Sequence, residues 1–242
     1  MTGPDVAIMA ILVSAGFIRG AFGFGDALFA MPLLVLLMPA TAAAPQMAFA
    51  ALWIAMIILV REWKDVDVRP AALLITSAMV GIPCGIWLLV HVDQRIVKCV
   101  LGVTVVAFSV WSLRRPGSIQ LQTDQSAPAF GFVSGVLGGA FNTGGPPLVI
   151  YASLRKWTPQ KFRSTMQVYC LVGSTWVITM HSFAGNVTKQ TLFHLLVAAP
   201  LIVVSTLAGQ RLTRHLAMER FVRLVFVVLL LMGVGLVASS LG

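Results

Sequence analysis

The stretch Gly16-Phe17-Ile18-Arg19-Gly20-Ala21-Phe22-Gly23-Phe24-Gly25 recurs 115 residues later as Gly131-Phe132-Val133-Ser134-Gly135-Val136-Leu137-Gly138-Gly139-Ala140. The register extends to Pro32-Leu33-Leu34-Val35 against Pro147-Leu148-Val149-Ile150, and six of these twenty aligned positions are identical. Both copies are apolar stretches broken by glycine. Paired interruptions of this kind in corresponding halves of a chain point to a transporter's substrate site, where unwound backbone meets the ends of half-helices.

Outward from the repeat, the composition agrees. The 242 residues are 58% hydrophobic and 10% charged, with a mean hydropathy of +0.92. A soluble domain of this size needs far more charge to cover its surface. Apolar runs long enough to span a bilayer lie at 44–60, 71–90, 96–113, 164–183, 191–210 and 221–241. The net charge of +9 does not indicate nucleic-acid binding, because the basic residues fall in short clusters between apolar spans. They read as topology signals. Met1-Thr2-Gly3-Pro4-Asp5 lacks the basic start of a cleaved signal peptide, so the first apolar segment is expected to stay. Cys84, Cys99 and Cys170 lie in separate apolar spans and form no disulfide or metal pattern; no cofactor or metal is expected.

Residues 5–38 as one straight helix would be about 50 Å long against a hydrocarbon core of about 30 Å. Broken at Gly20, Gly23 and Gly25, they form two half-length pieces meeting near mid-membrane; residues 128–154 can do the same around Gly138 to Gly145. Each broken segment either crosses the membrane or dips in and returns. If both return, thirteen Lys and Arg lie on one side and three on the other, with Arg19 in the membrane. If both cross, the division is ten to six. The positive-inside rule favours the first arrangement.

The expected fold is therefore an all-α polytopic membrane protein of two inverted repeats. Each repeat is a re-entrant helix hairpin plus three transmembrane helices, with both termini periplasmic. The chain is one transmembrane domain, 1–242, with halves 1–115 and 128–242 joined by a cytoplasmic linker at 116–127. Arg95-Ile96-Val97-Lys98 echoes Arg220-Phe221-Val222-Arg223 at an offset of 125, which implies an insertion between the repeated motifs.

An anion in mid-membrane needs hydrogen-bond donors and positive potential, and a helix that starts inside the bilayer supplies both. Gly23, Phe24 and Gly25 precede one such start; Asn142, Thr143, Gly144 and Gly145 precede another, opened by Pro146 or Pro147. The alternative role for these glycines is close helix packing. Arg19 is a candidate anion ligand, or a structural ion-pair or snorkelling residue. Its repeat partner at offset 115 is Ser134. Asp26 is a candidate proton carrier, an N-cap, or a partner for Arg19. Gln46 and Gln167 open spans after each hairpin, as substrate donors or interhelical glue. His91, His181, His194 and His215 sit near span ends without metal-ligand spacing. The six tryptophans, Trp53, Trp63, Trp87, Trp111, Trp157 and Trp176, mostly read as interfacial anchors.

These motifs, above all Gly135-Val136-Leu137-Gly138-Gly139-Ala140-Phe141-Asn142-Thr143-Gly144-Gly145-Pro146-Pro147, resemble the sulfite exporter TauE/SafE family of bacterial inner-membrane permeases. The resemblance covers nearly the whole chain. It implies export of sulfite, an organosulfonate or a related small anion across the inner membrane. Secondary transport by alternating access fits, with membrane lipid around the chain, coupling to a proton or other ion, and a monomer or homodimer as the working unit. No Walker A motif offers direct ATP drive. An anion channel, an uptake permease for another small anion, a membrane enzyme and a pure interaction subunit are the competing classes. The channel lacks polar spans, and the enzyme lacks a paired nucleophile and base.

Overall fold

The computed structural model describes the backbone of residues 3–114, 120–212 and 218–241. Among the described residues there are α-helices and one 3-10 turn, at Trp63–Asp65, and no strand. The first half contains α1 (Gly3–Phe22), α2 (Asp26–Leu37), α3 (Ala40–Glu62), α4 (Val68–His91) and α5 (Gln94–Arg114). The second contains α6 (Ala127–Phe141), α7 (Gly145–Leu154), α8 (Pro159–Phe183), α9 (Lys189–Leu212) and α10 (Met218–Leu241). Five of these, α1, α3, α4, α5 and α9, are long and apolar enough to cross a membrane. Arg115, Arg214 and His215 lie outside the described residues, as do the side chains of Lys64, Arg220 and Arg223 and the start of the 116–127 linker.

The first broken segment is not two half-length pieces. Its α1 has 20 residues, about 30 Å at 1.5 Å per residue, and α2 has 12. The second divides into 15 and 10. α1 runs long because it continues through Gly16 and Gly20 and closes only at Gly23, whose φ of 81 is left-handed.

Both breaks turn through a left-handed residue. Gly23 has φ 81 and Gly25 φ 92; Asn142 has φ 54. Glycine adopts this conformation freely, and asparagine is among the residues that follow it in preference. Asn142 N–H returns to Gly138 O (2.8 Å) and Gly23 N–H to Arg19 O (2.7 Å), which closes each helix before the reversal. α8 starts cleanly after the second hairpin, with Thr158 Oγ1 accepting from Lys161 N and Pro159 in the first turn.

The breaks stand at a different offset from the sequence repeat. Gly23 matches Asn142 and Gly25 matches Gly144, an offset of 119 rather than 115. The packing has the same offset. A Cβ on Gly20 would strike the Thr206 carbonyl, and one on Gly139 the Ile82 carbonyl. Likewise Gly209 abuts the Phe17 carbonyl and Gly85 the Val136 carbonyl. So α1 maps to α6 at 119 and α4 to α9 at 124. Gly102 and Gly233 face each other at the α5–α10 crossing, where a Cβ on either would lie 2.9–3.0 Å from the other's carbonyl oxygen. That crossing gives 131, six more than the basic motif suggests. At the offset of 119, Arg19 falls opposite Gly138 and Asp26 opposite Gly145.

The main contacts cross between the halves: α1 on α9, α4 on α6, α3 on α8 and α5 on α10. α2 packs on α1, α3, α5 and α10, whereas α7 packs chiefly on α6 and α8. The chain leaving α7 is back beside the segment that led into α6. Leu121 N–H donates to Leu154 O (2.9 Å), Arg155 pairs with Asp124 (3.0 Å) and Tyr151 Oη donates to Asp124 Oδ1 (2.7 Å). At the other hairpin, Arg163 joins the C-terminal ends of α1 and α3 through the Gly20 and Ala21 carbonyls and the Glu62 carboxylate. α1 and α3 therefore end together, and α2 runs back between them.

Two tryptophans are not interfacial anchors. Trp53 Nε1 donates to Ala199 O (3.3 Å), tying α3 to α9, and Trp176 Nε1 donates to Met79 O (3.1 Å), tying α8 to α4. Both sit well inside their helices, where the indole N–H satisfies a carbonyl of the neighbour.

Candidate functional site

The two hairpin tips meet at one buried cavity of about 40 Å³. Its wall takes Gly25, Asp26 and Leu28 from the start of α2, and Asn142, Thr143, Gly144 and Gly145 from the start of α7. Space for one water is about 10–15 Å³, so the cavity accommodates a small polar guest. Neither helix start has a side-chain cap: Gly25 and Gly144 are the N-caps. The first-turn N–H groups of Asp26, Ala27, Leu28 and Gly145 thus have no intrahelical acceptor. Pro146 and Pro147 remove two donors from α7, so α2 is the richer of the two ends.

Thr143 is 1% exposed, and its Oγ1 has no hydrogen-bond partner. A buried hydroxyl without a partner costs about 1–3 kcal/mol, and this one borders the cavity. Behind it, Ser134 Oγ donates to Gly144 O (2.5 Å). Its proton is thereby used, and Tyr169 Oη, 2.7 Å away, is left as the donor to Ser134. This chain holds the second tip from the α8 side.

Arg19 is 1% exposed. Its Nη1 donates to Asp26 Oδ2 (2.9 Å) and to Ala51 O (3.4 Å), while Nε and Nη2 both reach Gln167 Oε1 (3.1 and 2.9 Å). Gln167 Nε2 then donates to Gly23 O (3.0 Å). One guanidinium therefore links α1, α2, α3 and α8 at the first tip. Asp26 is not the N-cap of α2; it lies in the first turn and its carboxylate pairs with Arg19. A guanidinium satisfies this arrangement because its planar fork can address several acceptors at once.

Of the residues singled out from the sequence, Arg19, Gly25, Asp26, Asn142, Thr143, Gly144 and Gly145 line this cavity together. Gly23 and Gln167 stand behind Arg19. Phe24 lines a neighbouring chamber, in edge contact with Phe108 and Phe162 at 6.3 and 5.8 Å. Gln46 is buried with an unpartnered Nε2 and lies away from the cavity wall. Sequence reasoning missed the α8 wall, formed by Met166, Tyr169, Cys170, Gly173, Ser174 and Val177. Their spacing is helical, and the polar members interrupt an otherwise apolar span, which was the available signal.

Five helices long and apolar enough to cross a membrane, with two broken segments that meet at one polar cavity, have the character of a polytopic membrane protein. The family model for the sulfite exporter TauE/SafE matches residues 8–236, and the chain belongs to that family. Members are transporters, not enzymes. Among curated relatives, a probable inner membrane transporter protein TsaS of Comamonas testosteroni is 26% identical over 182 residues, covering 72% of this chain and 74% of that protein. A probable sulfite/organosulfonate exporter TauE of Cupriavidus necator is 20% identical over 244 residues, covering 98% and 95%. No solved structure matches the chain.

Proposed function

We propose that this chain is a secondary transporter of the bacterial inner membrane that exports a small sulfur oxyanion or organosulfonate by alternating access. The observation that carries this reading is the pair of uncapped helix starts converging on one cavity beside the unpartnered Thr143 hydroxyl. Free N–H groups at helix starts favour an anion without a full counter-charge. The anion is held by the α2 and α7 starts and by Thr143, with Asn142 at the rim.

Arg19 is the charge that the anion competes for. When the anion approaches the guanidinium, Asp26 loses its partner, and an unpaired carboxylate in the membrane is costly unless it is protonated. Anion occupancy and proton occupancy are thereby linked through Asp26. The halves rock around this site as inverted repeats. In support, contacts pair across the halves in matched fashion and the chain leaving α7 returns beside the start of α6. The charge bias and the return of the chain after α7 to the start of α6 support a re-entrant arrangement with both termini periplasmic.

The test is uptake and efflux of sulfite and a panel of sulfonates in proteoliposomes, with and without an imposed proton gradient. Saturable, gradient-sensitive flux is expected. Absence of flux for every sulfur anion in folded protein overturns the cargo. Flux that rises linearly with concentration indicates a pore.

A further inference from the structure

His181, which the sequence places near the end of a span, is 0% exposed and reaches across to the second hairpin. α8 ends at Phe183, and the chain folds back through left-handed Gly185, φ 72. Ala184 N–H returns to Met180 O (3.0 Å) and Asn186 N–H to His181 O (2.9 Å). That reversal lays the Asn186 side chain on the ring the chain has just passed. Asn186 Nδ2 is 3.0 Å from His181 Nδ1, and His181 Nε2 is 3.2 Å from Gly139 O. A carbonyl oxygen only accepts and an amide nitrogen only donates. The ring proton is therefore on Nε2, Nδ1 accepts from Asn186, and the imidazole is neutral.

Gly139 O needs that donor. It lies in the last turn of α6, where carbonyls run out of helical partners. Thr143 N–H, which an unbroken helix would give it, turns to Leu137 O instead (3.3 Å). The matching carbonyl of the first half, at the offset of 119, is Gly20 O, and it too is taken from α8, by Arg163 Nη2 (3.3 Å). One helix thus reaches the same carbonyl of both repeats, with Arg163 near its start and His181 near its end. The Tyr169–Ser134 link holds the α7 side of the second tip, and His181 holds the α6 side.

We infer that His181 is a positioning residue for the anion site: through Gly139 O it fixes the end of α6 and so sets the Thr143 hydroxyl at the cavity. This rests on the reading of that cavity as the anion site. Thr143 follows left-handed Asn142 directly, and its buried hydroxyl has no hydrogen bond of its own. The backbone alone sets its place, and His181 is the side chain that holds that backbone from α8.

The experiment measures flux of sulfite and methanesulfonate in proteoliposomes of the full chain, at equal amounts of folded protein. His181→Phe and His181→Met keep much of the buried volume and remove the donor, whereas His181→Gln keeps a donor and an acceptor. KM is expected to rise about tenfold in the donorless variants, with the maximal rate held within about twofold. In His181→Gln it is expected to return to within about threefold of the unaltered chain. Thr143→Val supplies a readout that a merely structural histidine would leave alone. Residues that act as a unit are non-additive, so a donorless variant combined with Thr143→Val is expected to change KM less than about twofold beyond Thr143→Val. Full multiplication of the two separate effects, to about a hundredfold, overturns the inference. So does an unchanged KM in the donorless variants. Folded protein from His181→Gln but from neither donorless variant assigns the ring to stability and overturns it as well. Absence of flux for every sulfur anion in the unaltered chain rejects the transport reading, and this one with it.

Discussion

At the residue scale, Arg19 and Asp26 form the buried pair on which the first tip depends. Removing one member of such a pair leaves a charge uncompensated, at a cost of about 3–5 kcal/mol. Asp26→Ala is therefore expected to lower the thermal midpoint of the purified protein sharply, and Arg19→Met with Asp26→Leu to recover much of it while remaining inactive in flux assays. Arg19→Lys keeps the charge but cannot address Gln167 and Asp26 together, so transport should stay impaired. Thr143→Val removes a buried, unpartnered hydroxyl at the cavity. Its melting temperature should hold or rise, whereas KM for the anion should increase about tenfold, the worth of one charge-assisted bond. An unchanged KM would remove Thr143 from the site.

At the element scale, glycines divide into two groups that substitution separates. Gly85 and Gly139 let α4 and α6 touch backbone to backbone, so Gly85→Leu should abolish folded yield on size exclusion. A Cβ on Gly144 would lie 2.7 Å from both Ser134 O and Ser134 Oγ, so Gly144→Ala should fold but disturb the Tyr169–Ser134 link and reduce flux. Gly235 has open space around it, and Gly235→Ala should be silent in both assays.

The same division explains what was legible beforehand. The broken segments and their tips could be read from glycine and proline positions alone. The offset of 115 could not be told from 119, because four residues is about one helical turn and the glycines return to the same face. The Arg19–Gln167 contact spans 148 positions of sequence, and no local pattern encodes it. Trp53 and Trp176 were misplaced because an indole near the middle of a span differs from an interfacial one only by the neighbour that accepts its N–H.

At the scale of the molecule, topology is testable directly. In a background lacking Cys84, Cys99 and Cys170, a cysteine at Gly3 should react with an impermeant maleimide from the periplasm. One at exposed Gln122 should react only after the cytoplasm is opened. Labelling of Gly3 from the cytoplasm alone would reverse the orientation.

The unequal packing of α2 and α7 also sketches a second shape of the same chain. If the halves are interchangeable, the posture of each hairpin is available to the other. Let α7 close onto α10 and α2 lift from α5, and the apolar pocket disappears beside Trp157. A twin then opens beside Met38, which matches Trp157 at the offset of 119. Such a pair of shapes, related by a pseudo-twofold rotation, requires no new fold, only an exchange of roles between two hairpins. A disulfide bridging α7 to α10 would then trap the molecule facing the opposite way, with its cargo door on the far side.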